Sequence, residues 1–186
     1  MDMDSTPEAL MARYQAGDFA AAKALIDRLS PALHRFFDGQ LANRSDADDL
    51  LQDVWLRIHR VRHTYRAGKP LLPWIFAIAR RVRVDHYRWS IRTSIREQRL
   101  ESVSEDLAAA EGRAADDLEE LLAPLSESQR EVLHLLKVGG LSLEEVAQAT
   151  SCSVGSVKQK VHRAYEKLRQ TMSLMELRRR QTGVIP

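Results

Sequence analysis

The run Ser142-Leu-Glu-Glu-Val-Ala-Gln-Ala-Thr-Ser-Cys-Ser-Val-Gly-Ser-Val-Lys-Gln-Lys-Val-His-Arg-Ala-Tyr-Glu-Lys-Leu168 holds two helices and the turn between them. Ser142 and Glu145 form a Ser-x-x-Glu capping box, in which each side chain satisfies a backbone N–H at the start of a helix. Val146 and Ala147 then supply its apolar face. Thr150-Ser151-Cys152 makes a tight turn. Ser153 caps a second helix whose Val154, Val157, Val161, Ala164 and Leu168 recur at helical spacing. Two capped helices across a three- or four-residue turn make a helix-turn-helix, which places the start of its second helix in the DNA major groove. With Val157 and Val161 facing inward, Lys158 and Gln159 face out. Ser156 and Gln159 can bond base edges or phosphates, and Lys158, Lys160 and Arg163 can pair with phosphates. A small helical bundle with a basic surface helix fits the same pattern, so the rest of the chain has to separate the two.

Upstream the periodicity stays helical. Leu10, Met11 and Tyr14 follow the capping residues Asp4-Ser5-Thr6-Pro7, and Gly17-Asp18 breaks that helix. Phe19 to Leu29 forms the next, and Ser30-Pro31 is expected to open another with Leu33, Phe36, Phe37 and Leu41. Asn43-Arg44-Ser45-Asp46 reads as a turn and cap before Leu50, Val54, Leu56, Ile58 and Val61. Ala67-Gly68-Lys69-Pro70 is a loop. From Pro73, the residues Trp74, Ile75, Ile78, Val82 and Tyr87 fit a helix whose other face carries Arg80, Arg81, Arg83 and Arg88. Residues 91–117 are poor in large apolar side chains and rich in Ala, Ser, Glu and Asp, as expected of a mobile or partly helical linker. A second apolar pattern starts at Leu118 and ends at Gly139-Gly140. No strand pattern or internal repeat is present. The expectation is an all-α protein of two small helical domains, 1–92 and 118–175, joined by a flexible linker over 93–117 and followed by a basic tail over 176–186.

Length and composition suit that reading. The chain has 186 residues, 44% apolar and 29% charged, enough for one medium domain or two small ones and too apolar for a disordered protein. No apolar run reaches the ~20 residues needed to span a bilayer, and MDMDSTPEAL lacks the basic and apolar segments of a secretory signal. The single Cys152 can form no internal disulfide, which suits a cytoplasmic location. The net charge of +2 conceals a strong segregation. Residues 61–99 carry ten basic and two acidic side chains, 100–131 carry two and ten, and 153–186 carry eight and two. Two cationic blocks thus flank an acidic one, and cationic blocks of this kind often mark nucleic-acid contact.

Leu122 to Arg169 resembles region 4 of bacterial sigma factors, most closely the small extracytoplasmic-function group, whose region 4 binds the −35 promoter element. The family usually reads Ser/Thr-Val-Lys-Ser-Arg where this chain has Ser156-Val157-Lys158-Gln159-Lys160. The resemblance implies −35 contacts from Ser153, Ser156, Lys158, Gln159, Lys160 and Arg163. Asp46-Ala47-Asp48-Asp49-Leu50-Leu51-Gln52-Asp53-Val54-Trp55 is similar to the family's region 2 signature D-A-E-D-L-x-Q-E/D-x-F/W, the helix that docks on the polymerase β′ clamp helices. That implies core contacts from Asp46, Asp49, Leu50, Gln52, Asp53 and Trp55. On spacing alone, Asp49, Gln52 and Asp53 form one acidic stripe, while Leu50, Val54 and Ile58 form a different, inward one. Pro73 to Arg81 and Asp85-His86-Tyr87-Arg88 resemble W-L-x-x-I-A-R-N…D-x-x-R, with Arg81 in place of the frequent Asn. In the family this helix and the preceding loop melt and hold the −10 strand. The chemistry needs cations for phosphates and aromatic faces or pockets for unstacked bases. Tyr65, Arg66, Lys69, Arg80, Arg81, Arg83 and Arg88 are implied for that role, whereas Trp74, in register with Ile78, reads as core.

The implied partners are core RNA polymerase, through the β′ clamp helices and the β flap, promoter DNA and an anti-sigma factor. No small-molecule substrate and no cofactor are expected. His59 and His63 have a spacing that could hold a metal, but with no third ligand in sequence they read as surface histidines. Cys152 reads as a small buried side chain. No phosphate loop, nucleophile elbow or paired-carboxylate pattern points to an enzyme. Two other readings fit parts of the chain: an operator-binding regulator that needs no polymerase, and a helical adaptor that binds only protein. Neither accounts for Asp46–Trp55 together with the arginine-rich Pro73–Arg88.

Overall fold

The computed structural model describes residues 6–41, 46–98 and 120–181, and among them every regular element is helical. The helices are α1 (Pro7–Gln15), α2 (Phe19–Asp38), α3 (Asp46–Val61), α4 (Leu71–Gln98), α5 (Glu127–Lys137), α6 (Leu143–Thr150) and α7 (Val154–Gln181). A single 3-10 turn, Arg62–Thr64, follows α3.

Most of these helices begin on a polar side chain that satisfies their free N–H groups. Thr6 Oγ1 accepts from Ala9 N at 3.2 Å, and Asp18 Oδ1 accepts from Ala20 N and Ala21 N at 2.9 and 3.1 Å. The Ser142–Glu145 capping box is formed in both directions, at 3.2 and 2.8 Å. A second box, Ser126 with Gln129, opens α5. Helix α4 is held from a distance, because Glu8 Oε1 on α1 accepts from Leu71 N at 3.0 Å. Losing the Ser142 hydroxyl should cost about 1 kcal/mol. Ser142→Ala is therefore expected to lower the urea midpoint of the folded protein while the helical content of its folded baseline is unchanged.

The expected helix start at Ser30-Pro31 is not there. Helix α2 runs unbroken through Pro31, with Leu25, Leu29, Leu33, Phe36 and Phe37 all buried. Proline removes one backbone donor, but the stripe is continuous on both sides of it, and burying that stripe holds the helix together. Ser30 serves α3 instead, its Oγ accepting from Trp55 Nε1 at 3.0 Å. Helix α4 likewise continues to Gln98, into the stretch read as linker, and α7 continues to Gln181, into the stretch read as tail. The expected turn and cap at 43–45, and residues 99–119 of the linker, lie outside the described residues.

Helices α1–α4 enclose a core built on Met11, Leu25, Phe36, Phe37, Val54, Ile58 and Phe76. Phe36 meets the edges of Phe37 and Phe76, each with ring centroids at 5.5 Å, a favoured aromatic geometry. Helices α5–α7 contribute Val132, Leu135, Val146 and Val157, and the connection between α5 and α6 adds Leu141. These are not two separate cores. The buried side chains form one cluster, because α4 packs along α6 and against α5. Two glycines admit this seam. A Cβ on Gly139 would lie 3.1 Å from Phe76 Cζ, and one on Gly39 would lie 1.8 Å from His134 Cε1. Each half thus presses a ring onto bare backbone of the other.

Candidate nucleic-acid and polymerase interface

Helix α3 sorts its residues by face. Ala47, Leu50, Val54 and Ile58 are buried, whereas Asp48, Asp49, Gln52 and Asp53 are exposed. Of the six expected polymerase contacts, Asp49, Gln52 and Asp53 form an open acidic stripe. Asp46 is half-buried, with its Oδ2 3.4 Å from His86 Nε2. Leu50 is 2% exposed and belongs to the core, so it supports this face from beneath. Trp55 is half-buried and bonded to Ser30. His34 stands beside the stripe, 2.8 Å from Asp38 and 3.2 Å from Asp48.

The loop between α3 and α4 is held from behind by α1. Gln15 Nε2 donates to the carbonyls of Arg62 and Tyr65 at 2.6 and 2.9 Å. The Tyr14 hydroxyl shares a 2.7 Å hydrogen bond with His59 Nδ1, and Arg62 lies over the Tyr14 ring at 5.6 Å. Burial raises the Tyr14 phenol above its ordinary value, with Arg62 opposing. Gly68, at φ +80°, makes the turn that exposes Arg66 and Lys69. Tyr65 does not join them. It is 5% exposed, its hydroxyl donates to the Lys69 carbonyl, and its ring lies 5.6 Å from Trp74. Trp74 is half-buried and shares with Tyr65 the wall of a cleft of about 490 Å³, also lined by Arg66, Lys69, Pro73 and, from α6, Gln148.

The four arginines expected on one face of α4 divide. Arg81 and Arg88 are exposed. Arg80 Nε is 2.9 Å from Glu131 Oε1, and Arg83 reaches Glu127 at 2.8 Å and Glu131 at 3.3 Å. The Arg83 side chain is 8% exposed and that of Glu131 is 6%. Sequence periodicity missed this because both glutamates stand more than 40 positions away, at the end of the acidic block. Beside them His134 is held below its ordinary value by burial and then by the Arg130 and Arg83 charges. The packed state therefore disfavours a proton on His134. Stability should be whole above pH ~6.5, the ordinary histidine value, and decline as pH falls below it. Urea unfolding at pH 7.5 and 5.5 should show that loss, and His134→Gln should reduce it.

The helix-turn-helix has the expected form. Ser151 closes α6 in the left-handed region at φ 54°, and Cys152 N returns to the Ala147 carbonyl at 3.0 Å. Ser153 Oγ accepts from Ser156 N at 3.2 Å and so caps α7. Val157 and Ala164 are buried, while Ser153, Lys158, Gln159 and Arg163 are exposed. Ser156 is half-buried. Lys160 is turned inward, its Nζ 3.5 Å from Cys152 Sγ. On the other side of this unit, Leu122, Leu125, Leu133, Val138, Tyr165 and Leu168 line an apolar groove of about 260 Å³. Among the described residues, no three metal-ligating side chains come together, and no helix is long and apolar enough to cross a membrane.

Residues 25–92 match the model of sigma-70 region 2, and residues 115–168 match sigma-70 region 4. The chain is 31% identical over 175 residues to the RNA polymerase sigma factor CarQ of Myxococcus xanthus, covering 90% of this chain and 98% of that one. It is 30% identical over 177 residues to the ECF RNA polymerase sigma factor SigF of Caulobacter vibrioides, covering 92% and 96%. Among solved structures, the sigma factor RpoE of Bartonella quintana, in complex with the anti-sigma factor NepR, superposes with a TM-score of 0.62 at 27% identity, covering 84% of this chain and 97% of that one. An outward acidic stripe on α3, a cationic loop with α4 and a capped helix-turn-helix occur here in the order of regions 2 and 4, and the chain belongs to the extracytoplasmic-function family of RNA polymerase sigma factors.

Proposed function

We propose that this sigma factor docks core RNA polymerase on the Asp49-Gln52-Asp53 stripe, holds the −10 strand on the α3–α4 loop and α4, and reads −35 duplex with the start of α7. The observation that carries this reading is the sorting of faces. On α3 and α7 the polar residues named by the family resemblance are mostly outward, while the apolar residues between them pack inward. The cleft beside Arg66 and Lys69 has the room and the aromatic wall an unstacked base requires. Arg81 and Arg88 add phosphate partners on α4. The protein acts by binding, in the cytoplasm, and the β′ clamp helices and β flap of polymerase are its protein contacts. A relative solved with NepR supports an anti-sigma factor as a further partner.

Duplex binding has a distinct signature. Removing one cation that pairs with a phosphate flattens the slope of log affinity against log salt by about 1. Lys158→Ala and Arg163→Ala in the polymerase holoenzyme should each do so on a −35 duplex. Unchanged slopes would remove both residues from the interface. Gln159→Ala, by contrast, should change sequence preference more than slope.

A further inference from the structure

We infer that Gln15 is a positioning residue for strand capture: from behind the α3–α4 loop, its carboxamide fixes the turn from which Arg66 and Lys69 reach the −10 strand. Gln15 is the last residue of α1, a helix that precedes the stretch 25–92 matching sigma-70 region 2. The inference rests on the assignment of the α3–α4 loop to the −10 strand.

A single nitrogen makes both contacts. Gln15 Nε2 donates to the Arg62 carbonyl at 2.6 Å and to the Tyr65 carbonyl at 2.9 Å, which takes up the two hydrogens of the amide. Those carbonyls stand at the two ends of the 3-10 turn that follows α3. Tyr65 then carries the constraint onward. Its backbone is held by Gln15, its hydroxyl donates to the Lys69 carbonyl, and its buried ring lies against Trp74. The exposed stretch Arg66-Ala67-Gly68 is therefore tied at both ends through one residue.

Helix α1 is itself anchored to both elements that the loop connects. Next to Gln15, the Tyr14 hydroxyl is bonded to His59 of α3 at 2.7 Å, and the Arg62 guanidinium covers the Tyr14 ring. Toward the other end of α1, Glu8 Oε1 accepts from Leu71 N, the first residue of α4, at 3.0 Å. The helix thus joins the end of α3 to the start of α4, and Gln15 reaches the segment between them. Surface loops are mobile unless held, and a strand that has to order its loop on binding loses that cost from its affinity. Ordering done in advance leaves Arg66 and Lys69 beside the cleft of Tyr65 and Trp74 before a strand arrives. The amide is needed as a donor. Methionine matches glutamine in length and helix propensity but donates nothing, and a glutamate carboxylate would set acceptor oxygens against two carbonyls.

The test uses holoenzyme assembled with the full chain, on a promoter fragment that the wild-type holoenzyme transcribes, at fixed salt. Permanganate reactivity of thymines in the −10 region reads the rate of strand opening. Fluorescence anisotropy reads affinity for core polymerase and, separately, for a −35 duplex. Two lost hydrogen bonds correspond to a slowing of about tenfold for Gln15→Met, and Gln15→Glu should open the promoter more slowly still. Both variants should keep wild-type affinity for core and for the −35 duplex. Equal losses in all three measurements would make Gln15 a support of the fold alone and overturn the inference. Wild-type opening in both variants, while Arg66→Ala with Lys69→Ala slows it, also overturns the inference but leaves the −10 assignment standing. If Arg66→Ala with Lys69→Ala leaves opening unchanged, the assignment of the loop to the −10 strand fails, and the role of Gln15 falls with it.

Discussion

Reversing two charges on α3, by Asp49→Arg with Asp53→Arg, is expected to abolish association with core RNA polymerase. Both carboxylates are exposed, and the residues that anchor their helix, Leu50, Val54 and Ile58, lie on the opposite side and are untouched. Breaking a single interfacial charge pair costs about 2–5 kcal/mol, or roughly 30- to 3000-fold in affinity. Two reversals add repulsion to that loss. The change is not free for the helix, because Asp49 lies in the first turn of α3, where a negative side chain favours the N-terminus by about 0.3–1 kcal/mol. That is too little to unfold it. Size-exclusion chromatography with core polymerase should show the variant eluting alone, with wild-type ellipticity at 222 nm. Co-elution would move the docking face elsewhere.

The largest effect on folding is expected at Phe76, which is 1% exposed. Its ring packs edge-on to Phe36 and touches Gly139 from the second half. Phe76→Ala removes a large side chain from a place where neither neighbour can collapse inward: Phe36 is fixed by Phe37, and Gly139 has no side chain to follow. Such truncations cost about 3–5 kcal/mol, a large share of the ~5–15 kcal/mol that holds a domain folded. Chemical denaturation should report a loss of that size. It should also show the two halves losing their mutual support, as a broader transition or a second step. Leu56→Ala, at an exposed position on α3, should change stability by less than about 0.5 kcal/mol.

Much of this was legible from local pattern alone. The Ser142 and Ser153 caps, the turn between them and the inward Val157 need only neighbours within one helix turn, and such short-range chemistry is written plainly in sequence. The split of α3 into an acidic and an apolar face is legible for the same reason. Pro31 misled because proline is a good helix opener, and nothing local says that the apolar stripe on either side of it is one surface. Arg83 misled differently. Its helical position fits an outward face, yet its partners Glu127 and Glu131 lie 44 and 48 residues away, a distance over which periodicity carries no information. Glu8 capping α4, Gln15 holding the loop and the ring of His134 on Gly39 are hidden for the same reason. The acidic block at 100–131 was visible as charge, but its last two glutamates acquire a role only when α5 folds against α4.

A sigma factor gives core polymerase a promoter specificity that core alone lacks. Purified core polymerase, with and without the protein, should be tested by run-off transcription on a pool of promoter fragments at fixed salt. Discrete new transcripts are expected that require both components and disappear with Asp49→Arg/Asp53→Arg. The same set of transcripts from core alone and from core with the protein would contradict it.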